Sequence, residues 1–66
     1  MQITLNGKTR DIDSVCTISD LLLMLNLKAG QVAVEHNRNI VTRTEFDTCV
    51  LKDGDRVEIV NFVGGG

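Results

Sequence analysis

Ile3 and Leu5 alternate with Gln2, Thr4 and Asn6, so the chain opens on the two-residue period of a half-buried strand. Asn6-Gly7 follows at once. Both residues accept the positive φ that a tight hairpin turn demands. A second strand is predicted from about Lys8 to Ser14, with Ile12 towards the core. The period then changes. Ile18, Leu21, Leu22 and Leu25 fall at i, i+3, i+4 and i+7, one face of a helix running from Ile18 to about Asn26. Thr17, with Asp20 three residues on, is an acidic variant of the capping box, and Asp20 complements the helix dipole. Gly30 is expected to supply a left-handed exit. Leu23 and Met24 widen the apolar face, which predicts a heavily covered helix.

Alternation returns with Val32 and Val34 set between Gln31, Ala33 and Glu35. Asn37-Arg38-Asn39 reads as a turn, because Asn tolerates positive φ. Ile40-Val41 is a brief fourth strand. Thr42 and Thr44 are capping residues for a short helical turn up to Asp47, with Phe46 pointing inward. Asp53 and Asp55 flank Gly54 in a tight turn; the remaining ligands of a calcium loop are missing. A last strand runs from Arg56 to about Phe62, with Val57 and Ile59 on one face and Glu58, Val60 and Phe62 on the other. The longest and most apolar strand belongs in the middle of a sheet, here parallel to the first. One main helix covering a mixed sheet of four or five strands is an α+β arrangement, the β-grasp or ubiquitin-like fold.

Sixty-six residues make one domain, which buries only about 60% of its unfolded surface. The 42% apolar content suffices for one core without metal or disulfide staples. Cys16 and Cys49 lack CxxC spacing and read as reduced, mostly buried small hydrophobes. The one histidine, His36, reads as an edge residue, and no clustered metal ligands appear. The net charge of −2 is spread along the chain, with no basic patch for nucleic acid. No apolar run approaches the roughly 18 residues of a membrane span, and no leader pattern precedes the first strand, so a cytoplasmic location is expected.

Residues 64–66 are all glycine and follow the final strand directly, dividing the chain into a domain over 1–63 and a tail over 64–66. Glycines add no packing, so a frayed terminus is one reading. The other is functional. A tail without side chains can thread a narrow channel and leaves the carboxylate of Gly66 uncrowded. With a pKa of about 3.3–3.7 that carboxylate is ionised at neutral pH. It can attack the α-phosphorus of ATP to give an acyl-adenylate, whose carbonyl then accepts sulfur. Val60 and Phe62, on the face opposite Val57 and Ile59, are candidates for a partner surface beside that tail, with Ala33 on the neighbouring strand.

Val57-Glu58-Ile59-Val60-Asn61-Phe62-Val63-Gly64-Gly65-Gly66, the Lys52-Asp53-Gly54-Asp55 turn, and Val32-Ala33-Val34-Glu35 leading through Asn37 to Ile40-Val41 together resemble the ThiS family of sulfur carriers of thiamin biosynthesis, end to end. The resemblance implies that a ThiF-like enzyme uses ATP to adenylate Gly66. Sulfur from a donor such as a cysteine desulfurase then converts the adenylate to a thiocarboxylate, which a ThiG-like thiazole synthase consumes. It further implies that the chain is a protein co-substrate rather than an enzyme, with Gly65 and Gly66 the functional pair, Gly64 extending the tail, and no cofactor bound. The family often carries Pro where Thr42 precedes Arg43 here, a departure confined to a turn. A MoaD-like carrier for molybdopterin synthesis and a ubiquitin-like interaction module or modifier are the competing readings.

Overall fold

The computed structural model describes residues 1–13 and 16–62. Strands β1 (Gln2–Leu5) and β2 (Lys8–Asp11) form the expected hairpin, with Asn6 at φ 48° and Gly7 at φ 82° in the turn. β2 ends earlier than its apolar pattern predicts, and Ser14 lies outside the described residues. Ile12 nevertheless faces the core. Helix α1 spans Ile18–Met24. Its capping box is complete: Asp20 N–H donates to Thr17 Oγ1 at 3.2 Å and Thr17 N–H to the Asp20 carboxylate at 3.0 Å.

The helix ends earlier than predicted, and not at Gly30. Asn26 takes the left-handed exit at φ 59°. Gly30 instead lies in a 3₁₀ turn over Ala29–Gln31, where the Arg43 guanidinium sits 3.4 Å from where a Cβ would stand. The heavy coverage expected of α1 is also corrected. Ile18, Leu21 and Leu22 are buried, but Leu23 is 74% exposed and Met24 50%. A single helix on a single sheet has one covered side, and these two residues lie off it.

β3 (Val32–His36) and β4 (Asn39–Val41) follow, joined through Asn37 and Arg38 at φ 51° and 72°. A 3₁₀ turn over Arg43–Glu45 carries a second capping box between Thr42 and Glu45 and delivers Phe46 to the core. β5 (Arg56–Asn61) closes the fold. The five strands are ordered β2-β1-β5-β3-β4. β5 lies in the centre, parallel to β1 and antiparallel to β3. Ile3, Ile18, Leu21, Val34, Leu51 and Val57 are the most deeply buried side chains, sandwiched between α1 and one sheet face. This is the β-grasp architecture anticipated from the strand and helix periods.

Candidate functional site

The central position of β5 fixes where the chain leaves the domain. Its pairing with β3 runs in register from His36↔Val57 to Val32↔Asn61, and Phe62 N–H donates to Gln31 O at 3.1 Å. On the other side β1 reaches only as far as Leu5↔Val57. Asn6 prolongs the contact with its side chain: Oδ1 accepts from Ile59 N–H at 2.8 Å and Nδ2 donates to Ile59 O at 3.2 Å. β5 is thus held by a β3 ladder on one edge and, at Ile59, by an amide clamp on the other. Val63, Gly64, Gly65 and Gly66 lie outside the described residues.

The alternation of β5 separates its apolar side chains. Val57 and Ile59 are buried, whereas Val60 and Phe62 are 62% and 61% exposed. Register places Ala33 opposite Val60, and Glu35 between Glu58 on one side and Ile40 on the other. Val60, Ala33 and Ile40 therefore share the sheet face turned away from α1, and Ile40 is 79% exposed. Val60, Phe62 and Ala33 stand where the alternation predicted. Ile40 was not anticipated as surface; its strand is short, and the inward neighbour Val41 was the only local signal of its facing. Val60, Phe62 and Ala33 lie towards the C-terminal end of β5, and Ile40 extends the face back to the level of Glu58.

The opposite end of β5 carries a polar cluster. Asp55 Oδ2 lies 2.6 Å from His36 Nε2 and accepts Lys52 N–H at 2.8 Å, while Oδ1 accepts Asn37 Nδ2–H at 3.1 Å. Burial pushes the Asp55 carboxyl up, but the hydrogen bonds from His36, Lys52 and Asn37 outweigh it and hold the group below its ordinary value. Asn37 Oδ1 also accepts Arg56 N–H at 2.8 Å, tying the β3–β4 turn to the start of β5. Cys49 Sγ lies 3.6 Å from His36 Nδ1. Burial raises both thiols above their usual range, helped by Asp20 at Cys16 and by Asp55 and Glu45 at Cys49. His36, expected as an isolated edge residue, is instead the middle of this cluster. Its partners are 13 and 19 residues away in sequence, beyond the reach of a strand-period argument.

Among the described residues no group of three or more His, Cys, Asp or Glu is placed to hold a metal ion. No helix among them is long and apolar enough to cross a membrane. A groove of ≈ 230 Å³ beside α1, lined by Ser19, Leu22, Leu23, Leu27 and Ala29, is apolar and smaller than the roughly 300 Å³ at which ligand pockets begin.

One helix packed on a five-stranded mixed sheet, with a central last strand leading out beside an exposed apolar face, defines a ubiquitin-like β-grasp protein. Comparison with known proteins narrows this class. The model of the ThiS family matches residues 3–66, and the chain belongs to that family. It is 40% identical over 65 residues to the sulfur carrier protein ThiS of Bacillus subtilis, covering 97% of this chain and 98% of that protein. It superposes with a TM-score of 0.86, at 39% identity, on the crystal structure of a thiamine biosynthesis protein (ThiS) from Geobacter metallireducens, each chain covered fully. It is also 38% identical over 66 residues to a thiazole synthase of Magnetococcus marinus, of whose length it spans 20%.

Proposed function

We propose that the protein is a sulfur carrier of thiamin biosynthesis, supplying sulfur for the thiazole ring from a thiocarboxylate on Gly66. The chief support is its end-to-end membership of the ThiS family, joined to a fold whose central strand is the last element before the three glycines of the sequence. The carrier contributes a carboxylate and a docking face, not catalytic groups. An activating enzyme resembling ThiF supplies the ATP chemistry. The ionised Gly66 carboxylate attacks the α-phosphorus and pyrophosphate leaves; the outer sulfur of a desulfurase-type persulfide then displaces AMP to give an acyl disulfide, which a thiol reductant cleaves to the thiocarboxylate. Gly64 and Gly65 keep the tail free of side chains, so the backbone can enter a narrow channel.

The thiocarboxylate then passes its sulfur to a thiazole synthase. That a chain similar to this one forms a fifth of a protein named thiazole synthase supports such a partner. Val60 and Phe62, with Ala33 and Ile40, form the face that these enzymes grip. Apolar side chains exposed together beside a reactive tail are what docking requires and folding does not.

Pyrophosphate exchange tests the proposal. With a ThiF-like enzyme, the full chain should drive exchange between pyrophosphate and ATP, and a chain lacking Gly65 and Gly66 should drive none. Equal exchange with both chains would remove the tail from the chemistry.

A further inference from the structure

We propose that Cys49 is a second sulfur-accepting group, a thiol that takes sulfane sulfur from a persulfide donor with His36 as its base and Asp55 orienting the imidazole. Nothing in this proposal depends on the tail, and it stands or falls apart from the chemistry of Gly66.

The geometry is that of an assisted nucleophile. Cys49 Sγ lies 3.6 Å from His36 Nδ1, and His36 Nε2 lies 2.6 Å from Asp55 Oδ2. A nucleophile within reach of a base, itself oriented by a third group, is the arrangement by which weakly acidic thiols and hydroxyls are made to react. Asp55 is ionised and accepts through both oxygens, so Nε2 carries the imidazole hydrogen and Nδ1 turns its lone pair towards the thiol. The two histidine nitrogens therefore have separate jobs, fixed by the carboxylate.

The surroundings also make a base necessary. Asp55 and Glu45 place negative charge near Cys49 and oppose a resting thiolate. The thiol proton must leave as the new bond forms, and Nδ1 is the acceptor in contact. Cys49 is partly exposed, and the His36 and Asp55 side chains are 22% and 13% exposed, so the cluster sits at the margin of the core rather than inside it. Cys16 is an internal control. It is buried, and the chain's single histidine is committed to Cys49.

The step balances without an added oxidant. Cys49–SH and a donor R–S–SH give Cys49–S–SH and R–SH. The Cys49 sulfur attacks the outer sulfur of the donor, a new S–S bond forms, and the donor S–S bond breaks. The thiol proton passes to His36 Nδ1 and then to the departing thiolate. Cys49 is oxidised to the persulfide as the donor is reduced to a thiol. The site lies at the end of β5 remote from Phe62. His36 pairs with Val57, and Phe62 lies five residues further along an extended strand, about 16 Å away before the tail begins.

The test uses the full, reduced chain, glutathione persulfide as donor, and fragment mass spectrometry to localise the gain. The expected product carries one additional sulfur on Cys49 in preference to Cys16, lost on treatment with dithiothreitol and formed without ATP. His36→Ala should slow loading roughly tenfold or more, and added imidazole should restore much of the rate. A merely structural histidine would not be replaced by free imidazole. Equal loading of Cys16 and Cys49 in the unaltered chain would overturn the proposal even if His36→Ala fails to fold. Failure of imidazole to rescue a His36→Ala chain with an unchanged melting curve would overturn it equally. Removal of Gly65 and Gly66 should leave Cys49 loading intact, which separates this result from that of the proposed carrier chemistry.

Discussion

The two faces of β5 carry similar residues and opposite fates. Val57 and Ile59 lie under α1 and are nearly inaccessible, whereas Val60 and Phe62, alternating with them along the same strand, stand mostly in solvent. Burial of the first pair repays the conformational entropy of a short chain. The second pair repays none of it, and a fold judged on stability alone has no use for it. An apolar residue therefore reports function here only after the facing of its strand is known.

Substitution sharpens this contrast, beginning where the effect should be greatest. Leu51→Ala, at a fully buried position under the helix, should cost about 2–5 kcal/mol, enough to leave so small a domain largely unfolded on heating. Thermal denaturation followed by circular dichroism checks this; a near-native melting temperature would mean that the covered face is not what holds the fold.

The next effect belongs to the end of β5 away from the tail. Asp55→Asn should destabilise by about 1–3 kcal/mol, because the bonds to His36 and to Lys52 N–H lose their charged acceptor. The sign of the pH dependence follows from the lowered carboxyl. Its contribution is present above the unfolded value of about 3.9 and is lost as pH falls through the folded one. Glu45, lowered by the Thr42 backbone and side-chain hydrogen bonds, acts in the same direction. Urea midpoints measured between neutral and acid pH should therefore fall below about pH 4 in the native chain and less steeply in Asp55→Asn. Parallel curves would deny Asp55 its role.

Thr17→Ala should be milder, about 1 kcal/mol, since it removes one cap from a short helix. Phe62→Asp should be mildest for the fold, within about 0.5 kcal/mol, because a mostly exposed side chain is replaced. Its effect on affinity for the activating enzyme should nonetheless be large. A binding titration that gives the native constant for Phe62→Asp would take Phe62 out of the interface; a large loss of stability would mean that its face is structural after all.

Much of the architecture was legible because periodicity and turn chemistry are local. Ile3 and Leu5, Asn6-Gly7, the Thr17–Asp20 capping box and the Val57–Ile59 alternation each point to the element that forms. What escaped depends on relations across the chain. The apolar count of α1 cannot say that one sheet leaves Leu23 and Met24 bare. Gly30 looked like the helix exit because glycine tolerates positive φ, but Asn26 reached that conformation first. The meeting of His36 with Asp55 and Cys49 joins three loop and strand ends that no short window contains. The exposed face was half legible: Val60 and Phe62 from the alternation of β5, Ile40 only once its pairing with Glu35 fixed its direction.

The most direct test of the account is the chemical state of Gly66 after turnover. The chain is incubated with ATP, an active ThiF-like enzyme and a sulfide source, and the product is fragmented in the mass spectrometer. The account predicts exchange of oxygen for sulfur confined to Gly66, dependent on ATP and distinct from oxidation at Met or Cys. An unaltered Gly66 carboxylate, from an enzyme proven active on another carrier, would contradict it.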